Sequence, residues 1–379
     1  MRLSSLRLTV GIASLLVSLL GLAVCVTAAP VTAAPAQLPV QLPVRLAQAS
    51  AIDEDRLNEL LDQGREQVEA GQTDEAIATY EAALQLASDN ARIYSAIGFL
   101  QAKQRNFESA IAAYQQAIAL DANNPDFYYA LGFCKANLQD YEGAAAAYRR
   151  TTELRRNDVE AYLGLGVVLS RLGDFRGAIE AYKQVLATNP NNARLYESTG
   201  SAYLQQEQYP EALEMFQRAV ALDPRSSTTQ LNLGVALLNL GETADGMVAL
   251  EKAAALEPKN GLIYLQIGDV YRAQGDFEQA RSSYEKAVAV QPSLREAHLE
   301  LGELYLEAQN YLRAIVTYRK LVELQPEDAE AHFQLGVALQ GRERNAEAIR
   351  AYQQAGDLYR QQNNAEGEQK AEAAAEAIQ

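Results

Sequence analysis

The chain has 379 residues, 48% of them apolar, with 33 Lys and Arg against 49 Asp and Glu and a formal charge of −16. The first 49 residues hold Arg2, Arg7 and Arg45 and no acid, which leaves −19 on the remainder. That balance argues against nucleic acid and anionic membrane surfaces as partners, because phosphate binding needs basic side chains. Two cysteines, Cys25 and Cys134, are too few for a disulfide framework.

At the N-terminus Arg2 and Arg7 precede an apolar run from Leu8 to about Val26, followed by small residues and prolines. This order of basic, apolar and small residues is that of a secretory signal. Val26-Thr27-Ala28 sets a cleavage point at a suitable distance, so residues 1–28 read as a signal peptide. The competing reading is a retained inner-membrane anchor over residues 8–26, which could just span a bilayer. Gly11 and Gly21 make that span a weak one. Export to a periplasm or equivalent lumen is the expectation. Residues 29–56 read as a Pro/Ala/Gln-rich linker and helix lead-in, with Pro30, Pro35, Pro39 and Pro43 keeping the first part extended.

From there a glycine returns every 34 residues: Gly64, Gly98, Gly132, Gly166, Gly200, Gly234, Gly268, Gly302 and Gly336. Twelve residues after each stands a small residue (Ala76, Ala110 and onward, with Gly246 in the sixth block). Sixteen after each stands a large one: Tyr80, Tyr114, Tyr148, Tyr182, Phe216, Leu250, Tyr284, Tyr318 and Tyr352. An unbroken period of this kind marks a stacked repeat array. In the fourth block Tyr162, Leu165, Gly166 and Leu169 fall on one helical face, and Gly173 breaks the run. Asp174 then caps a second helix that carries Phe175, Ala178, Ile179, Tyr182 and Leu186 and stops at Asn189-Pro190. Each block is therefore an antiparallel helix pair of about 14 residues per helix, roughly 21 Å long. The glycine and the small residue twelve later predict a close approach of the two backbones.

The pattern of large residue, Leu-Gly, Tyr, Gly-Asp-Tyr, Ala, Tyr, Ala and Pro resembles the tetratricopeptide repeat family over residues 57–362, nine repeats in register. The resemblance implies an all-α, right-handed superhelical solenoid of nine helix-turn-helix units, with a concave groove lined by the first helix of each pair. Residues 363–379 read as the C-terminal capping helix that such arrays need. The sixth repeat departs most from the pattern, with Gln230, Thr243 and Gly246. A mid-helix glycine costs about 1 kcal/mol relative to alanine, so residues 228–258 are expected to be softer than their neighbours.

Candidate chemistry is sparse. His298 and His332, 34 residues apart, occupy the framework position filled by Tyr94, Tyr128, Tyr162, Tyr196 and Tyr264, so both read as packing residues. A metal site would need further neutral or thiolate ligands nearby. Gly164-Leu165-Gly166 lies inside a helix rather than after a strand, which is not a phosphate loop. Cys134 falls on the packed face. The expectation is no catalysis, no metal and no cofactor.

The family resemblance places the residues three before and one after each glycine on the groove side. There the sequence puts Phe99, Tyr129, Phe133, Leu163 and Val167, an apolar and aromatic stretch that marks a candidate binding surface. The competing reading is that these rings pack between adjacent first helices. A second departure from the framework is Glu296, Glu300, Glu303 and Glu307, which stack on one helical face, with Asp269 before them and Glu330 after. Like charges at this spacing cost stability, so they suggest a cationic partner segment; the alternative is a solvated face with Arg272 as its counter-charge. The family members that grip a chaperone's C-terminal carboxylate use groove Lys and Asn. Here those places hold Leu61 and Arg65, Ser95 and Phe99, and Tyr129 and Phe133, which supply no such clamp.

These features together predict a non-catalytic, exported scaffold. Its groove would hold an apolar segment near Phe99, Tyr129 and Phe133 and a basic one near Glu300 and Glu303. The family resemblance implies a bacterial protein assisting assembly of an envelope, secretion or photosynthetic complex, and the leader ending Ala47-Gln48-Ala49 resembles those of exported cyanobacterial proteins. The alternative is an accessory of polysaccharide export or carbohydrate binding, against which the absence of tryptophan counts mildly.

Overall fold

A computed structural model describes residues 51–378; the signal, the anchor alternative and most of the Pro-rich linker lie outside the described residues. These contain helices and no strand, and divide into two compact units, 51–215 and 216–378. The first unit holds α1 (Ala51–Glu69), α2 (Thr73–Leu86), α3 (Ala91–Lys103), α4 (Phe107–Leu120), α5 (Pro125–Asn137), α6 (Tyr141–Leu154), α7 (Val159–Arg171), α8 (Phe175–Thr188) and α9 (Ala193–Gln205). The unit boundary falls within α10 (Tyr209–Leu222). The second unit continues with α11 (Ser227–Asn239), α12 (Thr243–Leu256), α13 (Gly261–Ala273), α14 (Phe277–Val290), α15 (Arg295–Glu307), α16 (Tyr311–Leu324), α17 (Ala329–Gly341) and α18 (Asn345–Gln361). The terminal α19 (Ala365–Glu376) packs on α18. From α1 to α9 and from α11 to α19 each helix packs on its neighbour in sequence. First helices of successive repeats also touch, α5 with α7 and α13 with α15 among them.

Local chemistry explains where helices start and stop. Asp140, Asp158, Asp174 and Asp328 each accept a backbone N–H three residues on, from Gly143, Ala161, Gly177 and Ala331, at 2.9–3.1 Å. Each satisfies one of the donors that a helix start leaves free. Between the two helices of a pair the chain turns through one left-handed residue, Gly173 at φ +77° or Gln139 at φ +62°. The glycine takes this conformation without the Cβ penalty that the glutamine bears.

The recurring glycine has a use that the sequence pattern did not specify. A Cβ on Gly64 would stand 2.6 Å from the Tyr80 ring, and one on Gly132 would stand 3.0 Å from the Tyr148 ring. Gly166, Gly268 and Gly302 face Tyr182, Tyr284 and Tyr318 in the same way. The bare Cα is a seat for the flat ring sixteen residues later, and Tyr284, Tyr318 and Tyr352 are among the largest fully buried side chains. The backbone-to-backbone approach expected throughout is found in the sixth repeat, where Leu250 replaces the ring. There a Cβ on Gly234 would lie 3.1 Å from the Gly246 carbonyl oxygen, and one on Gly246 would lie 3.2 Å from that of Gly234. A Cβ on Gly246 would also meet the Leu238 side chain at 2.9 Å, so the bare Cα there serves the packing of α11 on α12.

The two histidines are framework. The Nε2 of His298 lies 2.9 Å from the Pro292 carbonyl oxygen and that of His332 3.0 Å from Pro326, six residues upstream in each case. Tyr264 donates its hydroxyl to the Pro258 carbonyl in the same register. The aromatic position therefore latches the start of a first helix to the end of the helix before it. Burial lowers the His298 pKa, and a neutral ring with its proton on Nε2 suits donation to a carbonyl. Cys134 is fully buried, and burial pushes its thiol up to about 12, which leaves no thiolate for chemistry at neutral pH.

Candidate functional site

In the first unit the five apolar groove residues do not form one cluster. Tyr129 on α5 packs against Tyr148, ring centroids 5.8 Å apart at 59°, and joins the core of Ala161, Leu165 and Tyr182. Leu163 on α7 packs on that same core. Phe133, one turn after Tyr129, stands edge-on to Phe107 at 6.3 Å and packs on Leu131, Cys134 and Ala147. Phe99 lies against a third core, with Ile93, Ile97 and Leu100. All four are half-buried, and Val167 is exposed at 36%. Burial, with Glu160 and Asp158 nearby, pushes the Tyr129 hydroxyl up to about 12. It is a neutral donor at physiological pH.

The second unit repeats the Tyr129 arrangement with the position closed. Phe333 stands three residues before Gly336 as Tyr129 stands three before Gly132. It packs on Tyr352 at 5.3 Å but is only 7% exposed, with the Lys370 ammonium 4.4 Å from its ring centre. Leu265, in the same register, is fully buried. The position is thus a packing site first, closed at Leu231, Leu265 and Phe333 and half open at Leu299 as it is at Tyr129 and Leu163.

The acidic residues are brought together around one cation. From α13, Arg272 reaches across to α15, where it donates to Glu300 through Nη1, to Glu303 at 3.3 Å through both Nη1 and Nη2, and to Glu307 at 2.6 Å through Nη2. Burial opposes the Arg272 charge, but Glu300, Glu307 and Glu303 more than offset it and raise its pKa. For Glu300, burial and then the neighbouring Glu303 and Glu307 prevail over the lowering by Arg272, so its pKa rises. Asp269, one turn before Arg272, accepts the Tyr284 hydroxyl at 2.9 Å and the Gln266 amide at 3.3 Å. Burial, with Glu300 beside it, raises its carboxyl to about 7. Glu296 sits in the first turn of α15, outside this cluster, and Glu330 is bound by Tyr359 at 2.6 Å and by Gln334. The reach of Arg272 to three carboxylates was legible only in outline, as a cation four residues after one repeat glycine opposite acids around the next. Among the described residues no group of three or more His, Cys, Asp or Glu is placed to hold a metal ion.

A tetratricopeptide repeat profile matches residues 135–193, 163–227, 198–261, 265–323 and 305–363, and a second TPR repeat profile matches 64–105 and 106–139. The chain belongs to the tetratricopeptide repeat family. Its similarity to MamA of Desulfovibrio magneticus RS-1 is 27% identity over 44% of this chain and 95% of that one, with a TM-score of 0.42. YrrB, described as a TPR protein with an unusual peptide-binding site, is 23% identical over 49% of this chain and 95% of that one, with a TM-score of 0.43. Yeast Tom70 is 14% identical over 85% and 96%, with a TM-score of 0.44. No curated protein matches the chain.

Proposed function

We propose that this TPR protein is a non-catalytic scaffold that binds an extended or helical segment of a partner protein along the face formed by its first helices. The observation that carries the proposal is that Phe99, Tyr129, Phe133, Leu163 and Val167 stay half open or exposed on the first helices of consecutive repeats. Half-exposed aromatic rings on a rigid framework supply contact area at low entropic cost, the usual make-up of a binding hot spot. A basic stretch of the partner would meet Glu300, Glu303 and Glu307 in the second unit, where three carboxylates share one arginine.

The N-terminal order of arginines, apolar run and small residues supports export as the setting, with assistance in assembling an envelope, secretion or photosynthetic complex as the role. No described helix is long and apolar enough to cross a membrane. The test is a pull-down from the exported fraction with wild type, Tyr129→Ala/Phe133→Ala and Glu300→Lys/Glu303→Lys. Each variant is expected to lose partners that wild type retains. Retention of every partner by both variants would remove the groove assignment. N-terminal sequencing of the mature protein, expected to start just after Ala28, separates a cleaved signal from an anchor.

A further inference from the structure

In three repeats the hydroxyl of the ring seated on the repeat glycine finds a partner on its own first helix. Tyr182 pairs with Ser170 at 3.3 Å and Tyr352 donates to Gln340 at 2.8 Å, each partner four residues after the glycine. Tyr284 instead donates at 2.9 Å to Asp269, one residue after the glycine. In the eighth repeat the position four after Gly302 is Leu306, which accepts nothing, so the acceptor in register is Glu303. Yet Tyr318, fully buried, has no hydrogen-bond partner for its hydroxyl among the described residues. Its charge environment is set by burial and then by Glu303, Glu330 and Glu300, which places it beside the acidic face.

Glu303 therefore has two donors to choose between, and Arg272 has taken it. The hold is loose, at 3.3 Å from both guanidinium nitrogens, whereas Glu307 is at 2.6 Å and Glu300 is closer still. A buried donor left unpaired is destabilising, a penalty built into the eighth repeat as long as Arg272 stays where it is. The chemistry of the occupant is given by Arg272 itself. A guanidinium fits between these carboxylates, which outnumber it three to one and include two that are about half exposed.

We propose that Arg272 is an internal stand-in for an arginine of the bound segment: the incoming guanidinium takes Glu300 and Glu307, Arg272 is displaced, and Glu303 falls back onto the Tyr318 hydroxyl. The inference rests on the basic-segment reading above and adds to it an occupied, self-competing site. Removing Arg272 then vacates the site and strengthens binding, although it deletes a contact between α13 and α15. Removing the Tyr318 hydroxyl takes away what Glu303 regains on exchange and weakens binding, although the ring never touches the ligand.

The test is fluorescence anisotropy with full-length protein and a short labelled peptide of alternating arginine and alanine, with its glutamine-for-arginine analogue as control. Arg272→Gln should bind the arginine peptide about tenfold tighter than wild type, and Tyr318→Phe about fivefold weaker, the equivalent of one ordinary hydrogen bond. In Arg272→Gln/Tyr318→Phe the second change should have no further effect, since Glu303 is already free. Equal or weaker binding by Arg272→Gln overturns the inference and leaves the basic-segment reading standing if the peptide still binds wild type. An arginine peptide that binds neither protein overturns both. Tyr318→Phe, which removes one unpaired hydroxyl, guards against a folding failure of the arginine variant: unchanged affinity there is also an overturning result.

Discussion

One residue after the repeat glycine the first unit carries Phe99, Phe133 and Val167, whereas the second carries Val235, Asp269, Glu303 and Val337. The framework beneath is the same in both, with a ring or leucine seated on a bare Cα and capped helices on either side. In the first unit these groove-side side chains share packing clusters with the framework and stay half open. In the second unit carboxylates occupy two of these positions, and one of them, Glu303, shares Arg272 with Glu300 and Glu307, so ion pairs join adjacent first helices there. Half-exposed pairs of this kind contribute little each because water competes for them. Their effect here is to fix where charges stand, beside a Tyr318 hydroxyl that has no partner. A repeat framework that is satisfied by a few small and aromatic residues leaves its groove positions free to diverge in this way.

The largest expected effect tests the shared framework. Gly132→Ala in the first unit and Gly302→Ala in the second each drive a Cβ into a seated tyrosine ring. Overpacking of that kind costs roughly 1–3 kcal/mol. Urea denaturation should lower the midpoint for both, and Gly356→Ala, whose nearest neighbour is 3.8 Å away, should show no loss. Similar midpoints for Gly302→Ala and wild type would break the claim that both units rest on one seat.

Next is the charge confined to the second unit. The Asp269 carboxyl is raised to about 7 from an ordinary value of 3.8 by burial and Glu300, with Tyr284 and Arg272 pulling the other way. A carboxyl raised on folding binds its proton more tightly in the folded state, so its contribution is present below about pH 4 and is lost as pH rises through 7. Asp269→Asn should therefore raise the thermal midpoint at pH 8 and change it little at pH 4. A gain of about 2 kcal/mol at pH 8 allows for the carboxyl being only half-buried. An equal gain at both pH values would show that charge is not the cause.

The smallest effect separates neighbouring repeats. Tyr284→Phe removes a hydroxyl bonded to Asp269 and should lose about 1 kcal/mol. Tyr318→Phe removes an unpaired one and should lose nothing or gain slightly. Calorimetry at pH 7 that found equal losses would mean that Tyr318 has an acceptor in solution.

The sequence by itself determined the helix pairs, their order, the caps and the framework roles of Tyr, His and Pro. Those follow from local rules, 3.6-residue periodicity and end-capping, applied nine times over without interruption. It also placed Arg272 and the glutamates on facing helices, because residues 28 to 35 apart recur at nearly the same point of successive repeats. Only the tertiary structure decided that the glycine seats a ring, that the bare Cα of Gly246 serves the packing of α11 on α12, and that Tyr129 and Phe133 divide between separate cores. The reason is physical: which atom first meets a missing Cβ, and which donor captures a shared carboxylate, are set by distances of a few tenths of an ångström between helices. The structure puts Glu303 on Arg272 and leaves the Tyr318 hydroxyl without a partner.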